Sequence, residues 1–258
     1  LASSPQLDSV SNIVLRIPVR PGRANYYEAG FTKSLAGKLR IDGNVFRRDF
    51  HNFPDDDTLL DTGVSFPTAF FTAEIYGEEV QVAVPRWGRF SGFVSYSNQT
   101  GVGQGPITGG LFLGDDVANI SSTAKFAVSQ DQRNTVRARV RVQATGRLWL
   151  ATTAGYGSGL PVNLGGPVDD NTIRFFLTQY GSAIVEKVNF GGERVRPNFS
   201  LDAAVGATLF HKEGKDISAQ MEVNNLTNRV NVLNFASLFS GTAVAVPRSV
   251  GAHMKFIF

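Results

Sequence analysis

Between Val136 and Ala144 every second residue is apolar and every intervening one polar: Val136, Ala138, Val140, Val142 and Ala144 alternate with Arg137, Arg139, Arg141 and Gln143. A period of two places the two sets on opposite faces of an extended strand. The chain must therefore build a sheet with one greasy face and one strongly basic face. In a membrane barrel an Arg or Lys on the lipid side costs about 2–4 kcal/mol at the bilayer midplane. Three arginines turned outward would be prohibitive, whereas inward they meet water or a polar filling. The valines are thus expected against lipid and the arginines toward a lumen. The competing reading is an edge strand of a soluble sheet with a solvated basic face.

The same alternation recurs. In 215–224, Ile217, Ala219, Met221 and Val223 oppose Ser218, Gln220, Glu222 and Asn224; in 200–210, Leu201, Ala203, Val205, Ala207 and Leu209 form one parity. The chain ends the same way, with Val250, Ala252, Met254, Phe256 and Phe258 on one side and Gly251, His253, Lys255 and Ile257 on the other. A terminal aromatic on an apolar-out strand suits a barrel's interfacial girdle. From Thr72 to Val84 the phase changes: Ala73 and Ile75 share one parity, Val80, Val82 and Val84 the other. One inserted residue near Gly77-Glu78-Glu79 would restore the register, which predicts a β-bulge there. Further strands are expected at 24–35, 38–49, 90–99 and 147–157, with an extra one at Asn12–Val19.

The connections alternate short and long. Tight turns are expected at 35–38, 85–89, 145–146 and 211–215. Long loops rich in Gly, Asp, Asn and Pro are expected at about 50–69, 100–124, 158–197 and 229–246. Outer-membrane barrels have short periplasmic turns and longer extracellular loops. The predicted fold is all-β: an antiparallel transmembrane β-barrel, partial, with about eight to ten strands of a larger barrel at roughly 10 residues per strand. No run approaches the eighteen or so apolar residues of a membrane helix. Residues 1–4 lack the pattern of a signal peptide, so a leader is expected to be absent. With no Cys, disulfides and thiolate metal sites fall away. A net charge of +3 without a basic block gives no argument for nucleic acid.

Several segments carry a family resemblance. Asn224-Asn225-Leu226-Thr227-Asn228-Arg229, then Pro247-Arg248-Ser249-Val250 leading to Phe258, resembles the C-terminal end of TonB-dependent outer-membrane receptors. Tyr26-Tyr27-Glu28-Ala29-Gly30, Phe46-Arg47-Arg48-Asp49, 73–77 and 93–98 resemble receptor barrel strands, and the whole is most similar to the Oar-like subgroup. The resemblance implies that residues 1–258 are the C-terminal part of a receptor barrel of about 22 strands with a plugged lumen, and that the plug domain is not in this chain. It implies uptake energised by TonB–ExbB–ExbD through that missing plug. It also implies that Phe256 and Phe258 are read by the barrel-assembly machinery, although the expected glycine position holds His253 and the glycine is Gly251.

The usual signs of catalysis are lacking. His51, His211 and His253 are expected in a loop, a turn and the last strand, and no His-Glu-x-x-His occurs. Asp55-Asp56-Asp57 and Asp115-Asp116 could take Ca²⁺ or contact lipopolysaccharide-associated cations, or stand solvated. The glycine runs 101–105 and 155–159 lack a following helix, so loop flexibility is preferred to a phosphate cradle. Pro197 and Pro247 precede descending strands. Trp87 and Tyr156 suit interfacial girdles, while Trp149 shares the inward parity. Phe175, Phe176 and Tyr180 in the long loop 158–197 could contact a ligand or pack on their neighbours.

The expected function is thus part of an outer-membrane transporter or receptor barrel for an extracellular substrate, without enzymatic activity, cofactor or metal. Arg137, Arg139, Arg141 and Glu222 would face the lumen, and outer-membrane lipid and lipopolysaccharide would surround the wall. Two alternatives stay open: a small closed outer-membrane porin or barrel enzyme, and a soluble β-rich adhesin or carbohydrate-binding module.

Overall fold

The computed structural model describes residues 21–58, 65–109, 124–162, 164, 168–237 and 241–257. The expected strand Asn12–Val19, the residues Asp115 and Asp116, and the terminal Phe258 lie outside them. Four long strands come first: β1 (Arg23–Leu35), β2 (Leu39–Thr58), β3 (Ser65–Trp87) and β4 (Phe90–Gly109). The short β5 (Lys125–Ala127) precedes β6 (Asn134–Gln143) and β7 (Leu148–Gly157). An outer insertion holds α1 (Asp170–Tyr180), α2 (Ser182–Val185), β8 (Val188–Asn189) and β9 (Arg194–Val195). Then come β10 (Asn198–Lys212), β11 (Lys215–Asn224), the hairpin β12 (Val232–Ser237) and β13 (Gly241–Val244), and β14 (Ser249–Ile257).

Ten strands form one antiparallel sheet in the order β1-β2-β3-β4-β6-β7-β10-β11-β14, with β5 paired to β4 beside this path. Among the described residues the outer edges of β1 and β14 have no strand partner, so the sheet is open. The tight turns have the chemistry their geometry demands. Glu213 and Gly214, both at positive φ, join Lys212 to Lys215 as a type I′ turn does, and Gly88 takes φ 61° between the paired Trp87 and Phe90. The turns are also staggered. Arg40, just past the first, faces Ala83 while β3 runs on to Trp87; Leu148, just past the third, faces Ala207 while β10 runs on to Lys212. That progressive offset is the shear that tilts strands in a barrel wall.

The pairing register joins the alternating sets into two continuous faces. Val94, Ala138, Ala154 and Leu201 are successive partners, as are Val205, Met221 and Ala252 one side further on. Across the other face Ser95 meets Arg137 and Ala204 meets Glu222. The apolar face is bare: Val140 is 44% exposed, Leu150 47% and Met254 61%. An uninterrupted apolar sheet of this kind is not a water-facing surface.

Two expectations about the strands are corrected. There is no bulge at Gly77-Glu78-Glu79. Pairing with β2 runs without a shift from Ala83 to Thr72, and β3 shifts instead near Phe71 and near its lower end. The phase change has another cause. Low on β3 the apolar side chains Val80 and Val82 face out. Higher up, Ala73 and Ile75 lie on the opposite face under an outer segment, in a core with Phe53, Phe70 and Val128. The strand keeps its register while the dry side changes. The described parts of the ranges expected as loops at 50–69 and 100–124 are also nearly all strand, since β2, β3 and β4 continue far past the apolar band to Thr58, Ser65 and Gly109. The third loop, 158–197, contains the helix α1, capped by Asp169, whose carboxylate accepts hydrogen bonds from the Thr172 amide at 2.8 Å and hydroxyl at 2.7 Å.

Candidate functional site

The side of the sheet opposite the apolar band is a continuous polar surface. Low on it, Arg141 holds its guanidinium 4.4 Å from the centre of the Trp149 ring, a cation–π contact. Trp149 lies flat because its neighbour is Gly206, where an added Cβ would fall 2.4 Å from the indole. Arg139 and Arg141 share a depression with Asp202, Gln220 and Glu222, and His253 Nε2 is 3.2 Å from Glu222 Oε1. Toward β1 the same face opens into a concavity of about 780 Å³ lined by Glu28, Asp42, Asn44, Gln99 and Arg137. Side chains there are tied together: Tyr26 Oη donates to Glu28, Asn44 Nδ2 donates to the other Glu28 oxygen at 2.8 Å, and the Thr32 hydroxyl donates to Asp42 at 2.6 Å. Arg137, Arg139, Arg141 and Glu222 thus share one face, and Phe256 lies on the apolar one beside Ile217.

Above the wall, outer segments fold onto this polar face and are fastened there. Residues 125–128 lie across β4 at Gly101 and Gly103. A Cβ on Gly101 would come 2.6 Å from Val128, and one on Gly103 3.1 Å from Phe126. These glycines lie within β4 and act by permitting close approach, which corrects the loop-flexibility reading. The fastening centre is Asp131, whose side chain is fully buried. It accepts from the Gly101 amide at 2.8 Å and pairs with Arg133 at 2.9 Å and with Arg194. Arg194 also donates to the Asp131 carbonyl at 2.7 Å and the Gly159 carbonyl at 3.1 Å. One carboxylate therefore binds β4, the segment before β6 and the insertion before β10. Ser129 extends the contact by donating to Asp55 at 2.7 Å.

A second fastening explains the Asn-rich motif. Asn225 is nearly buried at φ 49°; its amide donates to Asp202 and its side chain bridges Arg229 and Val246. Asn231 holds the Phe199 amide and carbonyl at 3.0 and 2.8 Å. The motif ties the outer ends of β10, β11 and the approach to β14.

The insertion shares a core with the β12 hairpin, in which Phe176 packs on Phe190, Phe235 and Tyr180. Phe176 is buried and Tyr180 half-buried against it, whereas Phe175 is 62% exposed. Of the three candidate aromatics, Phe175 alone presents its ring to the outside. Asp169, at the start of α1, has its carboxyl held below the usual carboxylate range, first by the Thr172 hydroxyl and then by the Thr172 amide. Sequence reasoning missed Asp131, Arg194 and Asn231, because an acid or amide in a polar segment looks solvated until its distant partners are known.

No family model and no curated protein matches this sequence. Solved structures do match. The ferric-catecholate import receptor Fiu of Escherichia coli K12 shares 17% identity over 92% of this chain at a TM-score of 0.58, and the chain covers 28% of it. The FrpB iron transporter of Neisseria meningitidis shares 14% over 93% at 0.56, with 32% of it covered. The pyoverdine outer membrane receptor FpvA of Pseudomonas aeruginosa shares 14% over 93% at 0.51, with 30% covered. These are TonB-dependent outer-membrane receptors, and the chain spans about three tenths of their length. Their fold, in the portion matched, is the fold of this chain.

Proposed function

We propose, from the barrel wall it shares in fold with TonB-dependent receptors, that this chain is a section of an outer-membrane transporter barrel. One observation carries the reading: nine neighbouring wall strands carry an apolar face and a polar face, their pairing shifting only locally near Phe71, at the lower end of β3 and at Thr208–Phe210, with tight turns at one end and folded segments at the other. The apolar face meets lipid. The polar face, with Arg137, Arg139, Arg141 and Glu222, lines the lumen or abuts a plug. The segments fastened by Asp131 and Asn225 stand outside and form the approach for an extracellular substrate, with Phe175 available for contact. Further strands complete the wall at the edges of β1 and β14, and a plug coupled to TonB–ExbB–ExbD supplies the energised step. The barrel-assembly machinery reads the C-terminal residues Phe256 and Phe258.

The open sheet disfavours the small closed porin or barrel enzyme, and the bare apolar face disfavours the soluble adhesin. The test is flotation of the chain with membranes, followed by an alkaline carbonate wash. The wall reading expects it to remain with the lipid; release into the supernatant would contradict it.

A further inference from the structure

The tight-turn rim of the wall is basic. The tight turns and their flanks carry Lys38, Arg86, Arg89, Arg147, Lys212 and Lys215, all exposed, against the acids Glu213 and Asp216. Among the described residues only Lys212 of these cations has a carboxylate partner, Glu213 at 3.8 Å. At the other end, on the apolar parity, Arg47 is already bound to Asp49 at 3.0 Å and Glu74 at 3.2 Å. Cations without a carboxylate partner therefore stand at the turn end beside the apolar face, Arg89 Nη1 donating to the Ala144 carbonyl at 3.0 Å.

That rim meets an apolar groove. On the apolar face, Val82, Trp87, Phe90, Val94 and Val140 surround Gly92 in an open furrow of about 630 Å³ whose lower end is Arg89. Gly92 keeps the floor low, since a Cβ there would lie 2.3 Å from the Arg139 carbonyl. Lys38 Nζ sits 5.8 Å from the centre of the Trp87 ring, so a second cation stands at the same end.

We propose that this furrow binds one anionic phospholipid of the leaflet on the turn side, its acyl chain over Gly92 and its phosphate between Lys38 and Arg89. A free phosphate would have no use for the apolar furrow, and a zwitterionic lipid would leave the two cations uncompensated. Each basic side chain near an anionic surface is worth about fivefold in affinity. The site rests on the membrane reading given above.

The test uses the full chain carrying Trp149→Phe, so that Trp87 is the remaining fluorophore, in phosphatidylcholine vesicles. Chain-brominated phosphatidylglycerol or chain-brominated phosphatidylcholine is then titrated in. The expected result is half-quenching at a several-fold lower mole fraction of the anionic lipid, with Lys38→Ala and Arg89→Ala together raising that midpoint by the same several-fold, to the phosphatidylcholine value. Val140→Phe, which fills the furrow without touching charge, should also weaken the preference. Equal quenching by both lipids, or a preference unchanged in the double variant, would overturn the site while leaving the membrane reading intact. No quenching by either lipid would overturn both.

Discussion

At the residue scale the chain separates cost from tolerance along a single strand. Val140 and Arg139 are neighbours in sequence on opposite faces, with Val140 between Gly92 and Thr152, and Arg139 between Phe93 and Thr153. Val140→Arg should destabilise the lipid-embedded wall by about 2–4 kcal/mol, while Arg139→Val should be close to neutral. Urea unfolding from vesicles measures both, and equal penalties would refute the assignment of faces. Asp131 is the residue whose loss should matter most outside the wall. Asp131→Ala leaves Arg194 and Arg133 without their shared acid and should cost about 3 kcal/mol locally, reduced by the solvent that reaches Arg133. Limited proteolysis should then cut within 124–133 and 158–197 at enzyme levels that spare the parent.

At the scale of elements, what was legible was periodicity, and what was hidden was long-range partnership. The alternation in β6, β10, β11 and β14 reads directly into the observed faces, and the tight turns fall where Gly and charged residues announce them. In β3 the change of hydrophobic phase reflects a change of dry side, not an inserted residue. A sequence cannot say that Ala73 and Ile75 are dried by Val128, a contact from another connection. Helix α1 was equally obscure, since its buried face is formed by Phe190 and Phe235 from distant segments. Its cap makes a pH prediction. The Asp169 pKa is lowered in the folded state. The cap therefore adds stability at pH values above the unfolded carboxylate's pKa and loses it as pH falls through the folded value. The protection factor of the amides in the first turn of α1, taken relative to the intrinsic exchange rate at each pH, should fall under acid conditions, and Asp169→Ala should remove that pH dependence. The Asn motif offers a further test. Asn225→Gly can keep φ 49° but loses the hydrogen bonds, whereas Asn225→Ala loses both, so the alanine variant should be the less stable in thermal melts.

At the scale of the molecule the account comes down to a division of solvents across one tilted sheet. The chain has no native Cys, so single cysteines can be placed from 136 to 142 on β6, spin-labelled, and read in vesicles with dissolved oxygen and a water-soluble nickel chelate as relaxation agents. The account predicts a period of two, with 136, 138, 140 and 142 relaxed by oxygen and 137, 139 and 141 by the chelate. Inverted phase, or accessibility without alternation, would contradict it.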